Sequence, residues 1–120
     1  MTSSKSDIIR SMFAAYLSKD RGVVERTLTD DFTFTSPYDD AIDRKTYFER
    51  CWPNSQRIEV FDIERIFEQD DAAFVTYRIV NDSGKEFRNT EFHRFDGDKI
   101  RSVDVYFGPT YQDGTFVRQS

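Results

Sequence analysis

Apolar residues recur at helical spacing near the start of the chain and change to strand-like alternation over its second half. Ile9, Phe13, Tyr16 and Leu17 fall on one side of a first helix that Ser4 or Ser6 can cap, with Arg10, Lys19 and Asp20 on other faces. Asp20 is placed to cap a short second helix carrying Val23, Val24, Thr27 and Leu28. TDDFTFT then alternates as a strand through Phe32 and Phe34. Ser36-Pro37 ends it, because the residue before a proline avoids helical geometry and proline lacks a ladder donor. Asp43 can cap a third helix, RKTYFERCW, whose Tyr47, Phe48, Cys51 and Trp52 form an apolar stripe that Pro53 terminates.

Strands follow. Arg57 to Glu68 alternates imperfectly, Ala72 to Val80 alternates better, and Asn81-Asp82-Ser83-Gly84 turns the chain into Lys85 to Phe95. An Asp96-Gly97 turn then leads to a last strand ending near Gly108. The order α-α-β-α-β-β-β-β, with no repeat or linker, predicts an α+β domain spanning 1–120, residues 1–5 forming a flexible tail and the helices lying on one face of a mostly antiparallel sheet.

Turn lengths decide which side chains share a face, since a one-residue slip exchanges the two faces. A two-residue Asp82-Ser83 turn sets Phe74 opposite Glu91, Thr76 opposite Asn89 and Arg78 opposite Phe87, so that Phe74, Thr76, Arg78, Phe87, Asn89, Glu91 and His93 share one face. Val75, Tyr77, Ile79, Arg88, Thr90, Phe92 and Arg94 make the other, whose apolar members suit a sheet-to-sheet contact with a second copy. A two-residue Asp96-Gly97 loop would bring Asp104 beside Asn89. A three-residue loop ending in a left-handed Gly97 would instead bring Arg101, Val103, Val105 and Phe107 to that face. The second alternative better suits an enclosed apolar pocket.

Composition narrows the function classes. A net charge of −5, a pI near 4.9 and scattered basic residues argue against nucleic acid as a partner. No apolar run approaches the ~18 residues that span a bilayer and no secretory leader is evident, so no membrane role and a cytoplasmic location are expected. One Cys and one His supply neither a disulfide nor a zinc spacing. With no phosphate loop or catalytic triad order either, the expectation is no metal and no cofactor. The aromatic fraction of 16% either fills a core or lines an apolar cavity.

A helix, a short helix, DDFTFTSP, a capped helix and then long strands ending in FDGDKIRSVDVYFG resemble the nuclear transport factor 2-like superfamily. More narrowly, the chain is similar to the SnoaL-like and ketosteroid-isomerase-like family over essentially its whole length. The resemblance implies a cone-shaped fold: three N-terminal helices packed on a strongly bent sheet around an apolar pocket, without cofactor and dimeric through the sheet's outer face. It also implies a functional carboxyl at the position of Glu91, in the penultimate strand. The family's proton-shuttling Asp before a proline corresponds to Ser36, and its helix-one Tyr to Met12, with Tyr16 one turn later.

Glu91 and His93, two residues apart, project from one face of a strand, where a carboxylate and an imidazole can exchange protons. The alternative is that Glu91 pairs with Arg78 or Arg101 and satisfies a polar patch, and that His93 lies at the rim. Asp39, after the Ser36-Pro37 break, is a second candidate base, and Tyr16 and Asn89 are candidates to orient a substrate. Phe34, Tyr38, Trp52, Phe74, Arg78, Val105 and Phe107 complete the candidate binding surface. Cys51 reads as a small core residue. The function expected is a small-molecule pocket protein, as an isomerase, cyclase or hydratase moving protons on an apolar cyclic or carbonyl compound, or as a non-catalytic ligand-binding or protein-association module.

Overall fold

A computed structural model describes residues 4–118. Helix α1 (Lys5–Ser18) starts at Ser4, whose hydroxyl accepts the amide of Asp7 at 3.1 Å, so Ser4 and Lys5 belong to the capped helix rather than to a tail. The remainder of the expected tail lies outside the described residues. Lys19, left-handed at φ 63°, closes the helix. Its buried residues are Ile9, Met12, Phe13 and Ala15, each large one contributing roughly 1.5–3 kcal/mol on burial, whereas Leu17 is exposed. Asp20 caps α2 (Arg21–Thr27) and Asp43 caps α3 (Arg44–Arg50), both through side-chain oxygens. The third helix is shorter than the sequence predicts, because the chain tightens into a 3-10 helix at Trp52–Arg57 in which Pro53 occupies the first turn.

Seven strands form one mixed sheet. They are β1 (Leu28–Ser36), β2 (Asp39–Asp43), β3 (Ile58–Gln69), β4 (Ala72–Asn81), β5 (Lys85–Asp96), β6 (Lys99–Gln112) and β7 (Thr115–Val117). Their order is β2-β1-β6-β5-β4-β3, with β7 on the far end of β6, and only β1 and β6 are parallel. Bulges in β3, β5–β6 and β1 accompany the bend that lets the sheet enclose α1. Strand β2 was not anticipated: Ser36 Oγ accepts the amide of Tyr38 and donates to Asp39, folding the stretch after Pro37 into a hairpin instead of a loop.

Both turns of the β4–β5–β6 meander differ from the expected types. Gly84 donates to Asn81 O at 3.1 Å and sits at φ 82°, making Asp82-Ser83-Gly84 a three-residue loop held also by the Asn81 side chain. The register therefore shifts by one, to Phe74↔Phe92, Thr76↔Thr90 and Arg78↔Arg88. Val75, Tyr77 and Ile79 turn inward beside Glu91, Asn89 and Phe87, while Phe74 and Arg78 face outward. At the next turn Asp96 pairs with Lys99 across only Gly97 and Asp98, and Arg101 bulges out one step later. That bulge restores Val103, Val105 and Phe107 to the inner side opposite His93, Glu91 and Asn89, with Asp104 outside opposite Phe92. Buried Ile100, not Arg101, completes the inner row.

The core joins α1, α2 and α3 to the concave face through Ile9, Phe13, Val24, Phe32, Phe48 and Val75. No helix among the described residues is long and apolar enough to cross a membrane.

Candidate functional site

Alternation on β5 aims Asn89, Glu91 and His93 into the cone, and the shifted register brings Tyr77 of β4 beside them. Glu91 is the hub. Tyr77 donates its hydroxyl to Glu91 Oε2 at 2.6 Å, His93 Nε2 lies 2.8 Å from Oε1, and Asn89 Nδ2 donates to the Tyr77 oxygen at 3.3 Å. With a carboxylate as its neighbour, Nε2 is assigned as the donor, and Nδ1 is buried without a partner. The His93 side chain is 0% exposed and lies near the rings of Phe13 and Phe95, so it sits beneath Glu91 rather than at a rim.

Two cavities meet at this carboxylate. An inner one of about 120 Å³ is lined by apolar groups from Met12, Phe13, Leu28, Phe32 and Phe61, with the Tyr16 ring among them. An outer one of about 650 Å³ opens past Tyr38, Val105 and Phe107. Phe34, Cys51, Ile58, Tyr77, Ile79 and Glu91 line both. The hydroxyl of Tyr16 is buried with no hydrogen-bond partner. Burial first, and then the charge of Glu91, raise the Tyr16 and Tyr77 hydroxyls well above the usual phenol range, so both remain protonated donors. Burial likewise pushes the Cys51 thiol up to about 11, which keeps it a thiol.

The other candidates divide. Asn89, Val105, Phe107 and Phe34 line the outer cavity, and Tyr38 stands exposed at the mouth with its ring 5.5 Å from Phe107. Asp39 lines the outer cavity but is occupied, pairing with Arg50 at 2.9 Å and accepting from Ser36. Trp52 packs on Tyr16 at 5.0 Å and lines neither cavity. Phe74 and Arg78 are on the opposite face, Phe74 against Phe92 and Arg78 paired with Asp62 and Glu86, for the register reason already given. Glu91 is paired with neither Arg78 nor Arg101. Tyr77 is the residue that the sequence did not assign to the site. A left-handed Gly84 closing a three-residue turn would have revealed it. No group of three or more metal-binding side chains occurs among the described residues.

A bent sheet closed by three helices over a cavity with a hydrogen-bonded carboxylate at its waist defines a cone-shaped α+β pocket fold. The SnoaL-like domain model matches residues 9–103, and the chain belongs to that family. No curated protein matches it. Among solved structures, a protein from Kribbella flavida DSM 17836 is similar at 13% identity and a TM-score of 0.78, covering 85% of this chain and 84% of that one. A nuclear transport factor 2-like protein of unknown function from Cytophaga hutchinsonii ATCC 33406 is similar at 17% identity, TM-score 0.74, over 90% and 93%. A hypothetical protein with ketosteroid isomerase-like fold from Catenulispora acidiphila DSM 44928, solved in complex with trimethylamine, is similar at 13% identity, TM-score 0.69, over 88% of each chain. At these identities the likeness shows the fold alone.

Proposed function

We propose that the chain binds a largely apolar cyclic or carbonyl compound in the cone and moves a proton on it without a cofactor, with Glu91 as the acid/base group. The observation that carries this reading is a carboxylate lining both cavities with a buried, unpartnered tyrosine hydroxyl, Tyr16, in the inner one. The inner cavity's volume suits a group of about one ring, and the outer falls within the range of small-molecule sites. Each Glu91 oxygen accepts one hydrogen bond and keeps a lone pair. Such a carboxylate can take the proton from a carbon next to a carbonyl, the C–H electron pair passing into the enolate. Tyr16 donates to the enolate oxygen, and Glu91 returns the proton to another carbon for isomerisation, or the enolate carbon attacks a second carbonyl, whose oxygen becomes an alkoxide and takes the proton back from Glu91, for cyclisation. His93 lines neither cavity and serves as a positioning residue for Glu91, and Asp39, held by Arg50, is not the base.

α-Proton exchange of 2-tetralone in D2O, followed by NMR, tests this. The protein should accelerate exchange over buffer, and Glu91→Gln should return it to background while the ketone still binds. Bound ketone without acceleration would establish the second reading, a non-catalytic ligand binder, which the two filled hydrogen bonds on Glu91 favour. No binding would remove both. The same proposal includes pairing with a second copy through the outer face, where Phe67, Phe74 and Tyr106 are 68%, 48% and 58% exposed. Phe74→Lys should then yield monomer by light scattering. A monomeric native chain would refute the pairing.

A further inference from the structure

The outer cavity is apolar at its base and carries its cations at one end. Arg57 at the end of the 3-10 helix, Lys85 at the start of β5 and Arg118 after β7 all line it. Backbone bonds draw these segments together, Asp82 N to Arg57 O at 2.9 Å and Asp113 N to Gly84 O at 3.1 Å. The two carboxylates of the same wall are occupied: Asp39 by Arg50 and Ser36, Glu91 by Tyr77 and His93. Of the cations, Arg57 is paired with Asp82, whereas Lys85 rests 5.7 Å from the Phe87 ring centroid and neither Lys85 nor Arg118 has a carboxylate partner among the described residues. In a chain of net charge −5, two uncompensated cations at the mouth of an apolar cavity are a local departure from the field of the whole molecule.

We infer that the ligand is an amphipathic anion: an apolar, ring-bearing body lies in the cone and a carboxylate or similar acidic group reaches the mouth, between Lys85 and Arg118. This rests on the pocket reading above and adds the charge of the substrate class. The geometry also sets the direction of entry. The anionic end stays where water can reach it and avoids the Glu91 carboxylate, while the uncharged end descends toward Tyr16 and the inner cavity.

Two fluorescent probes that share one ring system test the inference: 1-anilinonaphthalene-8-sulfonate and N-phenyl-1-naphthylamine, which lacks the sulfonate. The full chain should bind the sulfonate about fivefold more tightly, the sum of two exposed ion pairs, and 0.5 M salt should close the gap, about that level being where screening acts within a few Å. The Lys85→Met/Arg118→Met variant should lose the preference and bind the neutral probe unchanged. Amide shifts at Ile79, Asn89, Glu91 and Val105 would place the probe in the cone. Equal affinities in the native chain, a preference that survives the double substitution, or shifts confined to other residues would overturn the inference. Binding of both probes without preference leaves the pocket reading standing. Binding of neither sinks that reading and the inference with it.

Discussion

Replacing Glu91 by Gln tests the wiring of the site by counting protons. Two donors, the Tyr77 hydroxyl and His93 Nε2–H, point at two carboxylate oxygens, at 2.6 and 2.8 Å. An amide of the same shape offers one acceptor and one NH2, so whichever way it turns, one donor hydrogen too many faces a donor. A buried donor left without an acceptor costs about 1–3 kcal/mol. Because Glu91 also lines an open cavity that water can enter, the lower half of that range, ~1–2 kcal/mol, is expected. Tyr77→Phe alone removes a donor from Glu91 and the acceptor used by Asn89, at a similar cost. Combined, the two changes remove the excess hydrogen, and the amide oxygen is left to His93. The double variant should therefore be more stable than the sum of the single losses, with a coupling of about 1 kcal/mol in urea denaturation. Since the chain has one histidine, its ring nitrogen shifts report the tautomer without ambiguity in every variant. Additive losses, or an imidazole carrying its proton on Nδ1 in the native chain, would refute the arrangement.

Three further outcomes follow from the same structure. A Cβ at position 108 would stand 2.5 Å from the carbonyl oxygen of Arg88 across the β5–β6 bulge, so Gly108→Ala should lower the melting temperature by several degrees, whereas Gly97→Ala, with open space around it, should suffer only the strain of φ +60°. Cys51, raised from 9.0 to about 11, should carry roughly a hundredfold less thiolate at pH 8 than an ordinary cysteine, and alkylation by iodoacetamide should slow at least in proportion. For the same thiol, and for Tyr16 and Tyr77, the folded chain holds protons that the unfolded chain releases, so stability should decline as pH rises above about 9 for the thiol and above about 10 for the phenols. Urea midpoints measured from pH 7 to 11 check the direction, and a flat profile would contradict it.

Features set by local chemistry were legible in the sequence. Ser4, Asp20 and Asp43 act as caps because a short side-chain oxygen before an amphipathic run has few alternatives. The inward set of β5 was legible because strand alternation alone fixes Asn89, Glu91 and His93 to one face. What it faces depends on loop length, and there the reading failed: Asn81-Asp82-Ser83-Gly84 contains both a two-residue and a three-residue turn. The Asn81 side chain, accepting from Ser83 and Lys85, selects the longer. One residue exchanged Phe74 and Arg78 for Val75, Tyr77 and Ile79. At the next turn, the bulge at Arg101 gave Val103 and Val105 their anticipated facing through an unanticipated backbone.

The exchange also changes what the carboxyl at position 91 can do. Facing Phe74 and Arg78 it would have been a carboxylate in an apolar slot with an arginine within reach, which favours a static ion pair. Facing Tyr77, with His93 on its other side, it is held by two donors that leave its remaining lone pairs directed at the cavity. The same fold thus holds at this point either a salt-bridged carboxylate or a hydrogen-bonded one facing the cavity, according to one residue of turn. Ser36, which stands where the family's second acid would be, is already spent on the β1–β2 hairpin through Tyr38 and Asp39. Under the proposed function, proton abstraction and return would therefore fall to a single carboxylate, restricting the chemistry to transfers whose two carbon sites both come within reach of Glu91 at the junction of the two cavities.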